Sequence, residues 1–240
     1  MSGRLWRIRL ITLATLVASV HCFATPSRLV IVRHSEKLDK WNLCQTGWER
    51  ADALTEQYLG MNARTPLFES GPPAAIFTMT LHTSQTAQPI AHSLGLPLTN
   101  YVVLPGASAP KEVLDAEANR QNRLAVGDLL NNPRYKGQQV LMVWEHFHIA
   151  SSALESKYPG EQITLRQLFK LDQPPFAKVV PATWPDSNYN FFWVIDFNAD
   201  GSVKAFKTLR QAYQGRYANL PDNDWAASES LPNDSSCLRD

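Results

Sequence analysis

The sequence predicts an α/β protein with a mainly parallel central sheet. Two observations carry this prediction: residues 29–32 form a short, continuously apolar run, and residues 139–144 form a second run that is apolar after Gln139, a pattern typical of strands buried on both faces. Helix-like segments alternate with these runs, and a hairpin pattern follows them toward the C-terminus. Alternation of strand and helix favours an α/β sandwich.

The first two thirds of the chain supply the alternating elements. A further strand is predicted over residues 74–78. Helices are predicted over 46–59, 85–94 and 112–130, the second despite Pro89. Thr46 and Glu49 fit a capping box at the start of the first helix.

The last third of the chain predicts a hairpin between two irregular segments. Residues 191–197 and 203–206 are its strands, joined by the turn-forming segment Asn198-Ala199-Asp200-Gly201. Residues 159–190 are rich in proline and polar side chains, so we expect a long loop with at most a short helix. The polar tail after residue 220 is expected to be loose.

The N-terminus has the pattern of a secretory signal peptide. Three arginines precede an apolar run over residues 10–20, which is short for a membrane span. Cleavage is expected after Ala24, which leaves one domain over residues 25–240 in the periplasm or the medium. The alternative is an uncleaved N-terminal anchor.

Composition excludes some partners. The 240 residues are 44% hydrophobic, enough for a sizeable core. Loss of residues 1–24 would remove three of the 23 basic side chains and none of the 22 acidic ones, leaving a formal charge of −2. We therefore expect no nucleic-acid partner and no membrane span after signal cleavage. Export permits a disulfide between Cys44 and Cys237, but both thiols could also be free.

Histidines follow two of the predicted buried strands. Arg33-His34 comes directly after the first, and Glu145-His146 after the third. Ligands of open α/β sheets bind at the carboxyl ends of strands, so the two histidines could converge. A neutral imidazole at His34 could attack phosphorus, with Arg33 and Lys37 as cations for the phosphate oxygens.

Less specific interpretations stand beside this one. Arg33-His34 could form a surface turn with incidental charges, and His146 could be a structural histidine bonded to Glu145 or to backbone. We expect His148 to be structural and His92 to lie on a helix surface.

Residues 29–37 resemble the Arg-His-Gly signature of the histidine phosphatase superfamily (phosphoglycerate mutase-like), here as Arg-His-x-Glu-Lys. Residues 140–149 resemble the family's second-histidine segment, in a Trp-Glu-His form typical of a bacterial exported subgroup. The resemblance covers separated blocks between residues 28 and 207, which include Gly47, Arg50-Ala51, Leu54 and Phe192-Trp193-Val194-Ile195.

This resemblance implies a three-layer α/β/α sandwich and a phosphomonoester hydrolase with a phosphohistidine intermediate on His34. It implies a small phosphorylated substrate or phosphate as ligand, and no metal or other cofactor. Arg33 and His146 would complete the catalytic group. Four further residues would contact the substrate: Ser35, Glu36, Lys37 and His82.

The chain departs from the family pattern at two positions. Ser35 stands where the family has glycine, and His82 stands where the block Arg-x-x-Gln-Thr-Ala has arginine. Histidine lacks the bidentate fork of arginine, so a catalytically weak or inactive phospho-ligand binding protein is the alternative function. Glu145 is a possible leaving-group acid. Other acids lie in the stretch where related enzymes often supply this group: Glu112, Asp115 and Glu117.

Overall fold

The computed structural model describes residues 24–68, 70–103, 109–228 and 236–238. Its six strands form one mixed sheet in the order β3-β2-β4-β1-β5-β6. The strands are β1 (Arg28–Arg33), β2 (Ala75–Thr78), β3 (Leu98–Asn100), β4 (Gln139–Trp144), β5 (Phe191–Phe197) and β6 (Val203–Arg210). Pairings among β1 to β4 are parallel, whereas β5 and β6 run antiparallel to their neighbours. The predicted α/β class with a mostly parallel sheet is confirmed at this level.

Six α-helices connect or flank the described strands. They are α1 (Gln45–Leu54), α2 (Leu81–Leu94), α3 (Lys111–Asn131), α4 (His146–Ile149), α5 (Ser152–Lys157) and α6 (Leu165–Leu168). A π-helical turn over Thr55–Leu59 extends α1. Residues 159–190 contain little regular structure besides α6, as predicted.

The sheet is buried on both faces. Side chains alternate along β1, so Leu29 and Ile31 pack on one face and Val30 and Val32 on the other. Apolar residues of α1 and α2 cover the second face, and those of α3 cover the first. This packing explains why residues 29–32 of β1 and 140–144 of β4 are continuously apolar in sequence.

The predicted starts of two helices are wrong. Helix α1 begins at Gln45 after Cys44, and Thr46 makes no capping box. Helix α2 begins four residues before the predicted start, because Thr80 and Thr83 form a reciprocal cap there. Its interior accommodates Pro89.

Of the tail after residue 220, the structure describes residues 221–228 and 236–238, and these contact the rest of the domain. The Pro221 carbonyl accepts a hydrogen bond from Arg50 at 2.8 Å, and Trp225 packs against the core. Cys237 forms a disulfide with Cys44, which resolves the alternative left open by the sequence.

The predicted signal segment lies almost entirely outside the described residues, which begin at Ala24. Within the described part of the chain, no helix is both long and apolar enough to cross a membrane.

Candidate active site

The site forms where β1 and β4 end side by side. These strands are parallel neighbours in which Arg33 is aligned with Trp144. The next residues of both strands therefore meet at one edge of the sheet, and the backbone N–H of His34 donates to the Trp144 carbonyl at 3.0 Å. The sequence expectation that the two strand-end histidines converge agrees with this geometry, since their ring centroids lie 5.4 Å apart.

His34 presents one nitrogen to the site. Its Nδ1 lies 2.7 Å from the carbonyl oxygen of Ser35, which can only accept, so Nδ1 carries the hydrogen. Nε2 then carries the lone pair. Around Nε2 lie Nη2 of Arg33 at 3.3 Å, Nδ1 of His146 at 3.3 Å and Oε2 of Glu145 at 3.5 Å.

The His34 ring is fully buried and uncharged. Burial, followed by the positive charges of Arg33 and Lys37, holds the pKa of His34 well below its usual value. A neutral ring whose lone pair is not taken up by a hydrogen is the form in which histidine acts as a nucleophile.

Arg33 is held rigidly behind this nitrogen. Its guanidinium carbon lies 3.8 Å from the centre of the Tyr189 ring, a cation–π contact. Nη1 donates to three backbone carbonyls, those of Pro185, Asp186 and Asn188. Nη2 thereby points toward Nε2 of His34. A phosphoryl group whose phosphorus approached Nε2 would place its oxygens beside this guanidinium.

Two carboxylates hold the second strand end. Asp186 Oδ1 lies 2.8 Å from Nε2 of His146, a contact that aims the opposite ring nitrogen at His34. Glu145 Oε1 accepts a hydrogen bond from the hydroxyl of Thr80 at 2.5 Å, which leaves Oε2 facing His34. Glu145 therefore points into the site, although it neighbours His146 in sequence.

Ser35 and Lys37 flank the nucleophile. The backbone N–H of Ser35 donates to Thr86 Oγ1 at 2.8 Å, and the Ser35 side chain is buried. Lys37 is close enough for its charge to lower the pKa of His34. Both residues adjoin the site, as expected.

Glu36 does not have the geometry of a substrate contact, contrary to the prediction. Its carboxylate is buried, and both oxygens accept hydrogen bonds from Arg50 at 2.6–3.0 Å. Burial alone lowers the pKa of Arg50, but the Glu36 carboxylate outweighs this effect and raises it. The pair joins the end of β1 to α1, so its role is to position the loop after His34.

His82 lies beside the nucleophile but is engaged elsewhere. Its ring centroid is 5.9 Å from that of His34. Its Nε2 lies 2.8 Å from the carbonyl oxygen of Asp39, so this nitrogen donates to the loop after β1. The side chain at this position therefore holds a loop through Nε2, and that nitrogen is not directed at a phosphate.

The other titratable residues considered in the sequence analysis make contacts outside the site. Asp115 pairs with Lys111 and Lys157, and Glu117 pairs with Arg120. His148 is buried with Nε2 at 3.1 Å from Asn119 Oδ1, and burial lowers its pKa to about 4, which agrees with a structural role. His92 is exposed on α2, as predicted.

His34, Glu145 and His146 could also be considered as ligands for a metal ion. Ligand atoms of His34, Glu145 and His146 all lie within 4.8 Å of one another. Arg33 Nη2, however, approaches the same nitrogen of His34 at 3.3 Å. A guanidinium beside the ligand atoms repels a cation and attracts an anion, so the arrangement suits phosphate better.

Sequence reasoning missed Thr80, Asp186 and Tyr189. Thr80 could be found as the residue that caps α2. Asp186 and Tyr189 precede β5, which runs antiparallel to β1, so the start of β5 lies at the edge where β1 ends. The placement of Asp186 and Tyr189 at the site therefore depends on the antiparallel pairing of β5 with β1, which the structure supplies.

No family model matches the chain, and no curated protein matches it. Among solved structures, one described as "Mycobacterial hydrolase 2" is 15% identical with a TM-score of 0.40, covering 87% of this chain and 94% of its own. Another, "Mycobacterial hydrolase 1", is 14% identical with a TM-score of 0.40, covering 79% of this chain and 99% of its own. At this similarity neither structure carries an argument about function.

Proposed function

We propose that the protein is a phosphomonoester hydrolase that forms a phosphohistidine on Nε2 of His34. The observation that carries the proposal is the environment of this nitrogen. Nε2 holds the lone pair because Nδ1 donates to Ser35, and Arg33 Nη2 and His146 Nδ1 each lie 3.3 Å away. The chain would then be a member of the histidine phosphatase superfamily with its three-layer, phosphoglycerate mutase-like sandwich.

In the first step, Nε2 of His34 attacks phosphorus in line with the leaving oxygen. The P–N bond forms as the P–O bond to the alcohol breaks. Arg33 and His146 hold the non-bridging oxygens, and Glu145, as the carboxylic acid, gives its proton to the leaving alcohol. Glu145 is assigned this task because Thr80 engages Oε1, while Oε2 is directed into the site.

In the second step, water attacks the phosphohistidine. The Glu145 carboxylate accepts a proton from that water, the P–N bond breaks, and its electron pair returns to Nε2 of His34. Inorganic phosphate is released, and Glu145 is again the acid. Each group therefore returns to its starting state after one turnover.

Export to the periplasm or the medium belongs to the same proposal. Besides the N-terminal pattern, the Cys44–Cys237 disulfide supports it, because disulfides persist in oxidising compartments.

The decisive experiment is covalent labelling of His34. Wild-type protein is mixed with a panel of labelled phosphomonoesters and quenched in alkaline detergent, since phosphohistidine is labile to acid. We expect label on a single peptide that contains His34, and none in His34→Asn. His92→Asn is the matched control, because His92 is an exposed histidine on α2 and should leave labelling unchanged.

If wild-type protein is folded and binds phosphate but is labelled by none of the donors, the hydrolase proposal is contradicted. That result would favour the alternative, a phospho-ligand binding protein. One observation favours that alternative. His82 stands where the family that the sequence resembles has its second arginine, and its Nε2 donates to the Asp39 carbonyl. Hydrolysis without a label on His34 would instead contradict the covalent route.

A further inference from the structure

Asp186 contacts both residues that face the reactive nitrogen. Its backbone carbonyl accepts a hydrogen bond from Nη1 of Arg33 at 2.7 Å, and its carboxylate oxygen lies 2.8 Å from Nε2 of His146. Arg33 and His146 are buried, whereas the Asp186 side chain is 47% exposed. One residue at the solvent edge therefore holds the two side chains opposite His34.

The carboxylate contact determines where His146 carries its hydrogens. A carboxylate accepts, so Nε2 of His146 is the protonated nitrogen. If the ring were neutral, its Nδ1 lone pair would face the lone pair on Nε2 of His34 across 3.3 Å. A second hydrogen on Nδ1 removes this repulsion, and the negative charge of Asp186 offsets the resulting positive charge of the ring.

The other groups around His146 fit the same protonation state. Glu145 places a carboxyl oxygen within 4.8 Å of the ring nitrogens of His34 and His146. His34 is neutral because its pKa is held low, and burial lowers the pKa of His148 to about 4. The Phe147 ring packs on His146 at 4.0 Å and contributes no charge. Arg33, whose Nη2 lies 3.3 Å from the same nitrogen of His34, is the described cation that opposes a positive charge on His146.

A doubly protonated His146 would supply a second charged hydrogen-bond donor beside Arg33. The family that the sequence resembles has a second arginine where this chain has His82. Nε2 of His82 donates to the Asp39 carbonyl instead. Nη1 of Arg33 is engaged by three carbonyls, which leaves Nη2 toward the reacting nitrogen. A second charged donor must therefore come from another residue, and Nδ1 of His146 lies 3.3 Å from the reacting nitrogen.

We propose that Asp186 is a positioning residue that keeps His146 doubly protonated and aimed at the phosphoryl oxygens, so that His146 adds a second charged donor to that of Arg33. This inference rests on the phosphate site of the proposed function but does not require its hydrolytic step. It can therefore be tested by binding alone.

The test compares orthovanadate and inorganic phosphate binding by calorimetry at neutral pH. Asp186→Asn keeps the backbone carbonyl and the side-chain shape but removes the charge, so we expect dissociation constants about 10- to 100-fold higher, the effect of one hydrogen bond to a charged group. Asp186→Glu should restore much of the affinity. Asp196→Asn is the control, because Asp196 pairs with Arg28 at the opposite end of β1 and should leave binding unchanged.

A spectroscopic signature separates this role from a purely structural one. Isotope-edited nitrogen NMR, with His146 assigned by difference against His146→Gln, should report two protonated ring nitrogens in wild type and one in Asp186→Asn. A singly protonated His146 in wild type overturns the proposal even if Asp186→Asn fails to fold. Unchanged anion affinity in folded Asp186→Asn also overturns it. If the NMR and binding results are as expected but no phosphohistidine forms, only the hydrolytic function is rejected.

Discussion

At the scale of single residues, the chemistry depends on which atoms carry hydrogens. A backbone carbonyl holds the Nδ1 hydrogen of His34, and a carboxylate holds the Nε2 hydrogen of His146. Two rings of the same type thereby present different atoms to one point, a lone pair from His34 and a donor from His146. Glu145 completes the set because Thr80 engages one of its oxygens and leaves the other at the site.

The role of Glu145 predicts a dependence on the leaving group. Glu145→Gln cannot supply a proton to the departing alcohol, so we expect the rate of ethyl phosphate hydrolysis to fall about 10²- to 10⁴-fold. Hydrolysis of para-nitrophenyl phosphate should fall much less, because nitrophenolate departs readily without a proton. Steady-state kinetics on both substrates measures the ratio.

Glu161→Gln is the control for this prediction, since Glu161 is an exposed glutamate paired with Arg123. It should change neither rate. An equal loss on both substrates in Glu145→Gln would mean that Glu145 supports the nucleophile or the fold and is not the acid.

At the scale of elements, the site depends on how closely α1 approaches the end of β1. A Cβ atom added to Gly47 would lie 2.1 Å from the backbone carbonyl oxygen of Glu36, so only glycine fits there. The Glu36 carbonyl also accepts from the backbone N–H of Cys44 at 3.1 Å. Together with the buried Glu36–Arg50 pair, this approach fixes the path of the chain directly after His34.

Gly47→Ala is therefore expected to lower the free energy of unfolding by about 1–3 kcal/mol, the usual cost of overpacking. The matched control is Gly127→Ala in α3, where an added Cβ meets no atom within 4 Å. Removal of a glycine from a helix interior should raise stability by about 0.5–1 kcal/mol. Urea denaturation measures both. A neutral or stabilising Gly47→Ala would contradict the close approach seen here.

The same elements explain what the sequence could predict. Continuous apolar runs predict β1 and β4, and parallel strands imply that the residues after them share one edge, which places His34 and His146. Hydrophobic periodicity carries no information on which side chain a polar residue will bond. The Glu36–Arg50 pair, the Asp39 contact of His82 and the position of Asp186 therefore emerge only from the three-dimensional arrangement.

At the scale of the whole molecule, the C-terminal end is fastened to the site-bearing loop. The Cys44–Cys237 disulfide spans 193 residues, and the backbone N–H of Leu238 donates to the Lys37 carbonyl at 2.6 Å. Cys44 directly precedes α1, three residues before Gly47. The tail thus closes the domain onto the segment that follows the proposed nucleophile, although its composition alone predicts a loose end.

Reduction of this disulfide should destabilise the domain, because the cross-link restricts the unfolded chain over a long loop. We expect the free energy of unfolding to fall by about 2–5 kcal/mol when a reductant is added or in the Cys44→Ser/Cys237→Ser double variant. Urea denaturation of the mature protein with and without reductant measures the change. The double variant should itself be indifferent to reductant, which isolates the effect of this bond. Equal stability of the oxidised and reduced wild type would mean that the non-covalent contacts of the tail are sufficient to hold it.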